Sequence, residues 1–326
     1  MAGGRGTRFW PRSRRTRAKQ VLRVLGERSL IQETFARLRP LIPPERFWVI
    51  TNTDLRNEIV RQLPEVPRRQ IVAEPVGRNT APCIGLGARL LLAQDPDALM
   101  GVFPADHVIA RPAVFRQVLR RAYRMALRDQ LVVLGIRPRW PETGYGYIEF
   151  SGNRVRRFRE KPGAAAARRF LRSGRYYWNS GMFVWKAAAI DAALRRFLPR
   201  TARALDRDDF PACDNISIDY AVMEKAPNVA GIRCPEIGWN DVGSWRAVYD
   251  LLPHDRQGNV ARSEALFHGA GGNYVDAPGR LAALVGVDDL IVVETADALL
   301  IARRDRAQQV GEVVKSLGRQ RRKELL

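Results

Sequence analysis

Lysine is scarce in this chain. Of 55 Lys and Arg residues only six are lysine: Lys19, Lys161, Lys186, Lys225, Lys315 and Lys323. Cysteine is sparse too, with Cys83, Cys213 and Cys234 and no C-x-x-C. An odd number of widely spaced thiols argues against a disulfide framework and a zinc site, and fits a reducing cytoplasm. No run of about 18 apolar residues is present, so no membrane-spanning helix is read. The N-terminus carries no apolar leader segment, so no secretion signal is read. Two phosphate motifs are missing as well. There is no G-x-x-x-x-G-K-[ST], and the G-x-G-x-x-G pattern starting at Gly4 fails because Phe9 stands at its last glycine.

Acidic residues are in the minority, 34 against 55 basic, for a formal charge of +21. Charge of that size by itself suggests a nucleic-acid partner. The arginines are scattered over every segment, however, with no basic tail and no aromatic-interleaved patch. No nucleic-acid partner is therefore read. The rarity of lysine makes its positions informative. Lys19, Lys161 and Lys225 fall inside motifs, where a compact ammonium is not readily replaced by arginine's planar fork.

What is present describes a globular chain. Its 326 residues, 46% of them hydrophobic, suffice for one large domain and a small one. Apolar strands alternate with amphipathic helices, which predicts an α/β fold with a largely parallel sheet. Ser29 and Gln32 form a capping box ahead of a helix over 29–39. Asp54 is read as the cap of a helix reaching Leu63. Helices are also predicted over 80–93, 113–127, 218–225, 243–252 and 305–317. Strands are predicted over 47–51, 70–73, 98–103 and 131–136. The texture changes to short strands and aromatic turns over about 138–187, which reads as an inserted lobe. After Gly258 the chain becomes glycine-rich with short apolar runs. The expected division is 1–257 and 258–326, the second part small and β-rich.

Several strings carry chemistry. Gly3, Gly4 and Gly6 leave backbone N–H groups open to an anion. Thr7 adds a hydroxyl, and Arg8 and Lys19 add two cations able to hold a polyphosphate. Glu74-Pro75-Val76-Gly77-Arg78-Asn79-Thr80 links a strand to a helix, where N–H donors face a ligand; from the residues alone an ordinary turn capped by Asn79 or Thr80 is the commoner case. Asp106 ends a strand, where α/β sheets place ligands, and is also readable as a helix cap. Asp241, in Gly238-Trp239-Asn240-Asp241-Val242-Gly243, is open to the same two readings. Glu142-Thr143-Gly144-Tyr145-Gly146 is a glycine-hinged turn suited to a sugar or to a hairpin corner. Glu160-Lys161 is a surface ion pair by default. Asn179, Asp219 and Glu224 lie in aromatic or amphipathic strings, and the last two read as structural.

In order, these strings closely resemble the sugar nucleotidyltransferases, whose opening loop reads GGxGTR-x-x-P-x-S followed by a lysine. The Phe9-Trp10 pair resembles the mannose-1-phosphate guanylyltransferase branch. Two departures stand out. The chain begins inside the motif, where the family has a buried first strand, so a central strand is expected to be missing. Ala18 replaces the usual proline before Lys19.

The resemblance implies a Rossmann-like, GT-A-like mixed sheet flanked by helices, and a tail related to a left-handed β-helix. It implies transfer of GMP from GTP to α-D-mannose 1-phosphate with release of diphosphate. It assigns nucleotide contacts to Gly3, Gly4, Gly6, Thr7, Glu74, Pro75, Asn79 and Thr80, and sugar contacts to Gly144, Glu160 and Asn179. Arg8, Lys19 and Lys161 are the catalytic cations, and Asp106 and Asp241 hold Mg²⁺. His107 is read as structural. The implied partners are the two substrates, with neither nucleic acid nor membrane; a homodimer is among the assemblies allowed. The rival readings are another sugar-1-phosphate nucleotidyltransferase, such as a glucose-1-phosphate thymidylyltransferase, and a non-catalytic homologue.

Overall fold

A computed structural model describes every residue, Met1–Leu326. The first stretch alternates helix and strand: α1 (Leu30–Leu38), β1 (Val49–Asn52), α2 (Thr53–Gln62), β2 (Ile71–Glu74), α3 (Thr80–Leu92), β3 (Leu99–Val102), β4 (Val108–Ile109), α4 (Pro112–Ala126) and β5 (Leu131–Ile136). β6 (Tyr147–Ser151), β7 (Arg154–Arg159), α5 (Ala164–Ser173) and β8 (Tyr176–Lys186) follow. Then come α6 (Ala187–Phe197), α7 (Pro199–Asp206), β9 (Val229–Arg233), β10 (Trp239–Asn240) and α8 (Trp245–Leu251). The tail holds β11 (Val260–Ala261), β12 (Ala265–His268), β13 (Tyr274–Asp276), β14 (Ala282–Val285), β15 (Leu290–Glu294), β16 (Leu299–Arg303) and α9 (Val310–Arg319).

Local chemistry accounts for most boundaries. Ser29 and Gln32 close the capping box of α1, which turns Leu30, Ile31, Phe35 and Leu38 inward. α2 is capped by Asn52 rather than Asp54. The Asn52 side chain accepts from Leu55 N at 3.0 Å, and Asp54 falls inside the first turn. The segment expected as a helix over 218–225 is a π-helical turn, Asp219–Met223. The last helix begins as a 3₁₀ stretch, Arg304–Gln309, before α9.

The main sheet has the order β3-β8-β5-β9-β7-β6 and is mixed, not largely parallel. β8 leaves the inserted lobe and enters antiparallel between β3 and β5, while β5 and β9 run parallel. β5 is buried along its whole length. Its alternating side chains feed two cores, Val132, Leu134 and Ile136 into one and Leu131 and Val133 into the other. Strands β1 and β2 form a separate parallel pair.

No strand runs between β1 and β3. A cavity of about 730 Å³ lies there, lined by Ile31, Phe35, Leu38, Ile50, Ile84 and Met100 among others. Only its end is bridged. Ala2 N donates to Ile50 O at 2.8 Å and Ala105 N to Met1 O at 3.0 Å, and the Met1 ammonium donates to Phe103 O at 2.9 Å.

The tail is β-helix-like. β11, β13 and β15 stack in parallel, as do β12 and β14, and β16 closes antiparallel on β15. Buried Asn259 and Asn273 link successive coils through Nδ2–Oδ1 at 3.1 Å. Tyr274, Ile291, Val293 and Leu300 of these coils share one core with Phe9, Trp10, Trp245 and Val310.

Candidate active site

The opening loop is held from one side by that core. Phe9 is 1% exposed and packs on Trp245 with ring centroids 5.2 Å apart. Trp10 Nε1 donates to Leu325 O, and Trp245 Nε1 donates to Trp10 O, both at 3.0 Å. With Phe9 and Trp10 pinned, Gly3, Gly4 and Arg5 face solvent. Gly6 turns the chain with φ 60°, and a Cβ there would stand 2.8 Å from Lys19 N. Only glycine fits that approach.

Asp106 and Asp241 come together because β10 pairs antiparallel with β4, Asn240 opposite Val108. Lys19 joins them. Its Nζ donates to Asp106 Oδ2 at 2.9 Å and to the Asp241 backbone O at 2.5 Å. Burial works to raise the Asp106 carboxyl, but Lys19, His107 and the chain's N-terminal ammonium together hold the group below the usual carboxylate range. Val242, fully buried, sits at φ 49°, a strained position for a β-branched residue. That turn presents Asp241. Tyr145 Oη donates to Asp241 Oδ1 at 2.6 Å. Asp106 Oδ1 and Asp241 Oδ2 accept no hydrogen bond from the protein. Arg8 Nη1 donates to Gln308 Oε1 at 2.6 Å and lies beside Gly243. His107 stands beside Asp106, its Nε2 3.9 Å from Oδ1. Its Nδ1 accepts from Trp239 Nε1 at 3.2 Å, and burial pushes it down to about 4, so it is neutral at physiological pH.

The sugar-lobe residues gather separately. Asn179 N donates to Gly146 O at 2.8 Å, and Asn179 Nδ2 donates to Asp219 Oδ1 at 2.9 Å. A Cβ on Gly146 would collide with Glu160 Oε2, so Glu160 lies against this pair. That Oε2 is buried without a partner. Burial raises the Glu160 carboxyl. Burial, then the Glu160 charge, raises Asp219 to about 7. Lys161 is exposed at φ 43°, its Nζ 3.4 Å from Glu160 Oε1. Gly144 is exposed, its N donating to Glu142 Oε1 at 2.8 Å.

At the other end, Glu74 is buried under the loop, with Oε2 3.5 Å from where a Gly3 Cβ would stand. Burial raises its carboxyl, and Oε1 has no partner. Pro75 is exposed. Asn79, at φ 66°, caps α3 through Oδ1 to Thr80 N at 2.9 Å. Thr80 Oγ1 accepts from Ile218 N at 2.9 Å. The fold thus unites Lys19, Asp106 and Asp241 with the glycine loop, and Glu160 with Asn179. Asn79 and Thr80 make no hydrogen bond to the loop. Two contributors escaped the sequence reading, Tyr145 and Gln308. Tyr145 stood in a singled-out string; nothing in the sequence marks Gln308.

Two carboxylates with one free oxygen each, joined through Lys19 to the Gly6 turn, fit Mg²⁺, which takes few protein ligands and completes its shell with phosphate and water.

The nucleotidyl transferase family model matches residues 1–258, and the MannoseP isomerase/GMP-like beta-helix domain matches residues 270–317. A mannose-1-phosphate guanylyltransferase of Klebsiella pneumoniae is 39% identical over 351 aligned positions, covering 99% of this chain and 74% of the relative. The xanthan biosynthesis protein XanB of Xanthomonas campestris pv. campestris is 40% identical, covering 98% and 73%. A crystal structure described as a mannose-1-phosphate geranyltransferase from Thermus thermophilus superposes with a TM-score of 0.88 at 36% identity, covering 98% of each chain. By sequence over nearly its full length, and by fold, this chain belongs to the nucleotidyl transferase family, alongside the mannose-1-phosphate guanylyltransferases.

Proposed function

We propose that the protein transfers GMP from GTP to α-D-mannose 1-phosphate, giving GDP-mannose and diphosphate. The observation that carries the reading is Lys19, packed against Gly6 of the glycine loop, bridging Asp106 and the Asp241 turn. A phosphate oxygen of mannose 1-phosphate attacks the α-phosphorus of GTP in line. The new O–P bond forms as the bond to the β-phosphate bridging oxygen breaks, and diphosphate leaves with that electron pair. Little covalent work falls to the protein, so positioning and charge neutralisation dominate.

In this reading, backbone N–H groups of Gly3, Gly4 and Gly6 and the Thr7 hydroxyl cradle the GTP phosphates. Arg8 and Lys19 hold the leaving diphosphate. Lys161, exposed at the sugar end, steadies the attacking phosphate. A cation about 4 Å from a phosphate charge contributes roughly 4 kcal/mol at an effective dielectric near 20. Glu74, Pro75, Asn79 and Thr80 line the base end. Gly144, Glu160 and Asn179 receive the sugar. Asp106 and Asp241 would hold Mg²⁺, which screens the repulsion between the two anions. The division at residues 257 and 258 belongs to the same reading, as do a cytoplasmic setting and freedom from nucleic acid and membrane. No helix is long and apolar enough to cross a membrane. A homodimer is compatible with the exposed Leu266, Val285 and Ile301 of the tail.

The test is diphosphate release with GTP and mannose 1-phosphate, run against a panel of other nucleoside triphosphates and sugar 1-phosphates. Turnover greatest with the guanine and mannose pair supports the reading. Preference for dTTP and glucose 1-phosphate, or no turnover with any pair, overturns it.

A further inference from the structure

Tyr145 lies in the glycine-hinged turn of the sugar lobe yet reaches the opposite end of the site. Its Oη donates to Asp241 Oδ1 at 2.6 Å. Its ring stands edge-on to Trp178 and Trp239, with centroids 5.2 and 5.3 Å away. Trp178 directly precedes Asn179, and Trp239 stands two residues before Asp241. Its neighbour Gly146 pairs with Asn179 and abuts Glu160. One side chain therefore touches both walls of the site, and its hydroxyl fixes the orientation of a carboxylate whose other oxygen is free.

We infer that Tyr145 is a positioning residue: its hydroxyl holds the Asp241 carboxylate in the orientation that binds a divalent cation, tying that carboxylate to the sugar lobe. The inference rests on the metal reading above. A ligating carboxylate left to rotate loses preorganisation, and losing such an outer hydrogen bond typically weakens metal binding about tenfold or more.

The experiment titrates Mn²⁺ into the full chain with GTP and no sugar phosphate, read by the electron spin resonance of free Mn²⁺. Tyr145→Phe keeps the ring between its tryptophans and removes one donor. It is expected to weaken Mn²⁺ binding about tenfold with an unchanged melting temperature. In an Asp241→Ala background, the same change is expected to add nothing. Unchanged Mn²⁺ affinity in Tyr145→Phe, with Asp241→Ala still losing it, overturns the role of Tyr145 and leaves the metal reading standing. Equal Mn²⁺ affinity in Asp241→Ala and the parent overturns both. Additive losses in the double variant also overturn the proposal, since the hydroxyl would then act through something other than Asp241.

Discussion

The opening loop lies between two unlike seams. On one side Phe9 and Trp10 are locked into a closed core with Trp245, Tyr274 and Val310. On the other, β1 and β3 face each other across a cavity of about 730 Å³, and only Met1 and Ala2 bridge its end. Both seams are apolar, so hydrophobicity does not distinguish them. The difference is whether a complementary surface is there to fill the space. A void forfeits the dispersion contacts that close packing supplies. The phosphate loop is held to the tail by side-chain packing and to β1 by hydrogen bonds, Ala2 N to Ile50 O at 2.8 Å and Thr51 Oγ1 to Ala2 O at 2.9 Å.

The comparison can be broken most directly at Trp245, which is fully buried on the closed seam. Trp245→Ala is expected to cost about 3–5 kcal/mol in denaturant unfolding. Phe47 faces the open seam, with Phe35 at 4.8 Å. Phe47→Ala is expected to cost only about 1–2 kcal/mol, because it already borders a void. Equal losses at the two positions would abolish the distinction.

Asp241 hangs from the turn beside the closed seam. Asp241→Ala is expected to lower kcat at least tenfold, about 1.4 kcal/mol in activation free energy, with native unfolding behaviour. Turnover at the parent rate in that variant would remove the carboxylate from the chemistry.

Helix α3 offers a finer contrast, since two of its glycines face different surroundings. A Cβ on Gly87 would meet Met100 Cε at 3.0 Å and Ile50 Cδ1 at 3.1 Å, both chain ends bordering the cavity. They can give way, so Gly87→Ala should gain up to about 1 kcal/mol from helix propensity. A Cβ on Gly85 would meet Leu205 Cδ1 at 2.7 Å and Leu194 Cδ1 at 3.1 Å. Leu194 and Leu205 are both buried, so Gly85→Ala should be net destabilising. Thermal melts of the pair decide it, and a destabilised Gly87→Ala would mean the open seam cannot relax.

A pH dependence is also expected at His107, whose backbone O accepts from Arg37 of the cavity-lining helix α1 at 2.5 Å. Burial lowers this histidine from 6.5 to about 4. The unfolded chain therefore binds the proton first, and stability falls as pH drops from 6.5 toward 4. His107→Gln should flatten that part of the profile; an identical slope would assign it to other groups.

How much of this was legible beforehand depended on range. The capping box at Ser29 and the helix after Asn79 were readable because a cap bonds within a few residues of itself. The cap of α2 was misassigned, since Asn52 and Asp54 are both competent and only backbone geometry chooses. Alternation alone suggested a parallel sheet and failed at β8, because strand direction depends on where the lobe hands the chain back; the mixed sheet that the resemblance implied is the one observed. Tyr145 was visible as part of a sugar-like string, but its bond to Asp241 spans a separation that no local pattern encodes.

The sequence alone determined the alternation of helix and strand, the glycine loop and the kinds of charge at the site, since these follow from residue type and nearest neighbours. Only the tertiary structure decided that Lys19 ties Asp106 to the backbone of the Asp241 turn, that Tyr145 reaches Asp241, and that the tail clamps Phe9 and Trp10. Those outcomes rest on β10 pairing with β4 and on surfaces meeting, which are properties of packing in three dimensions.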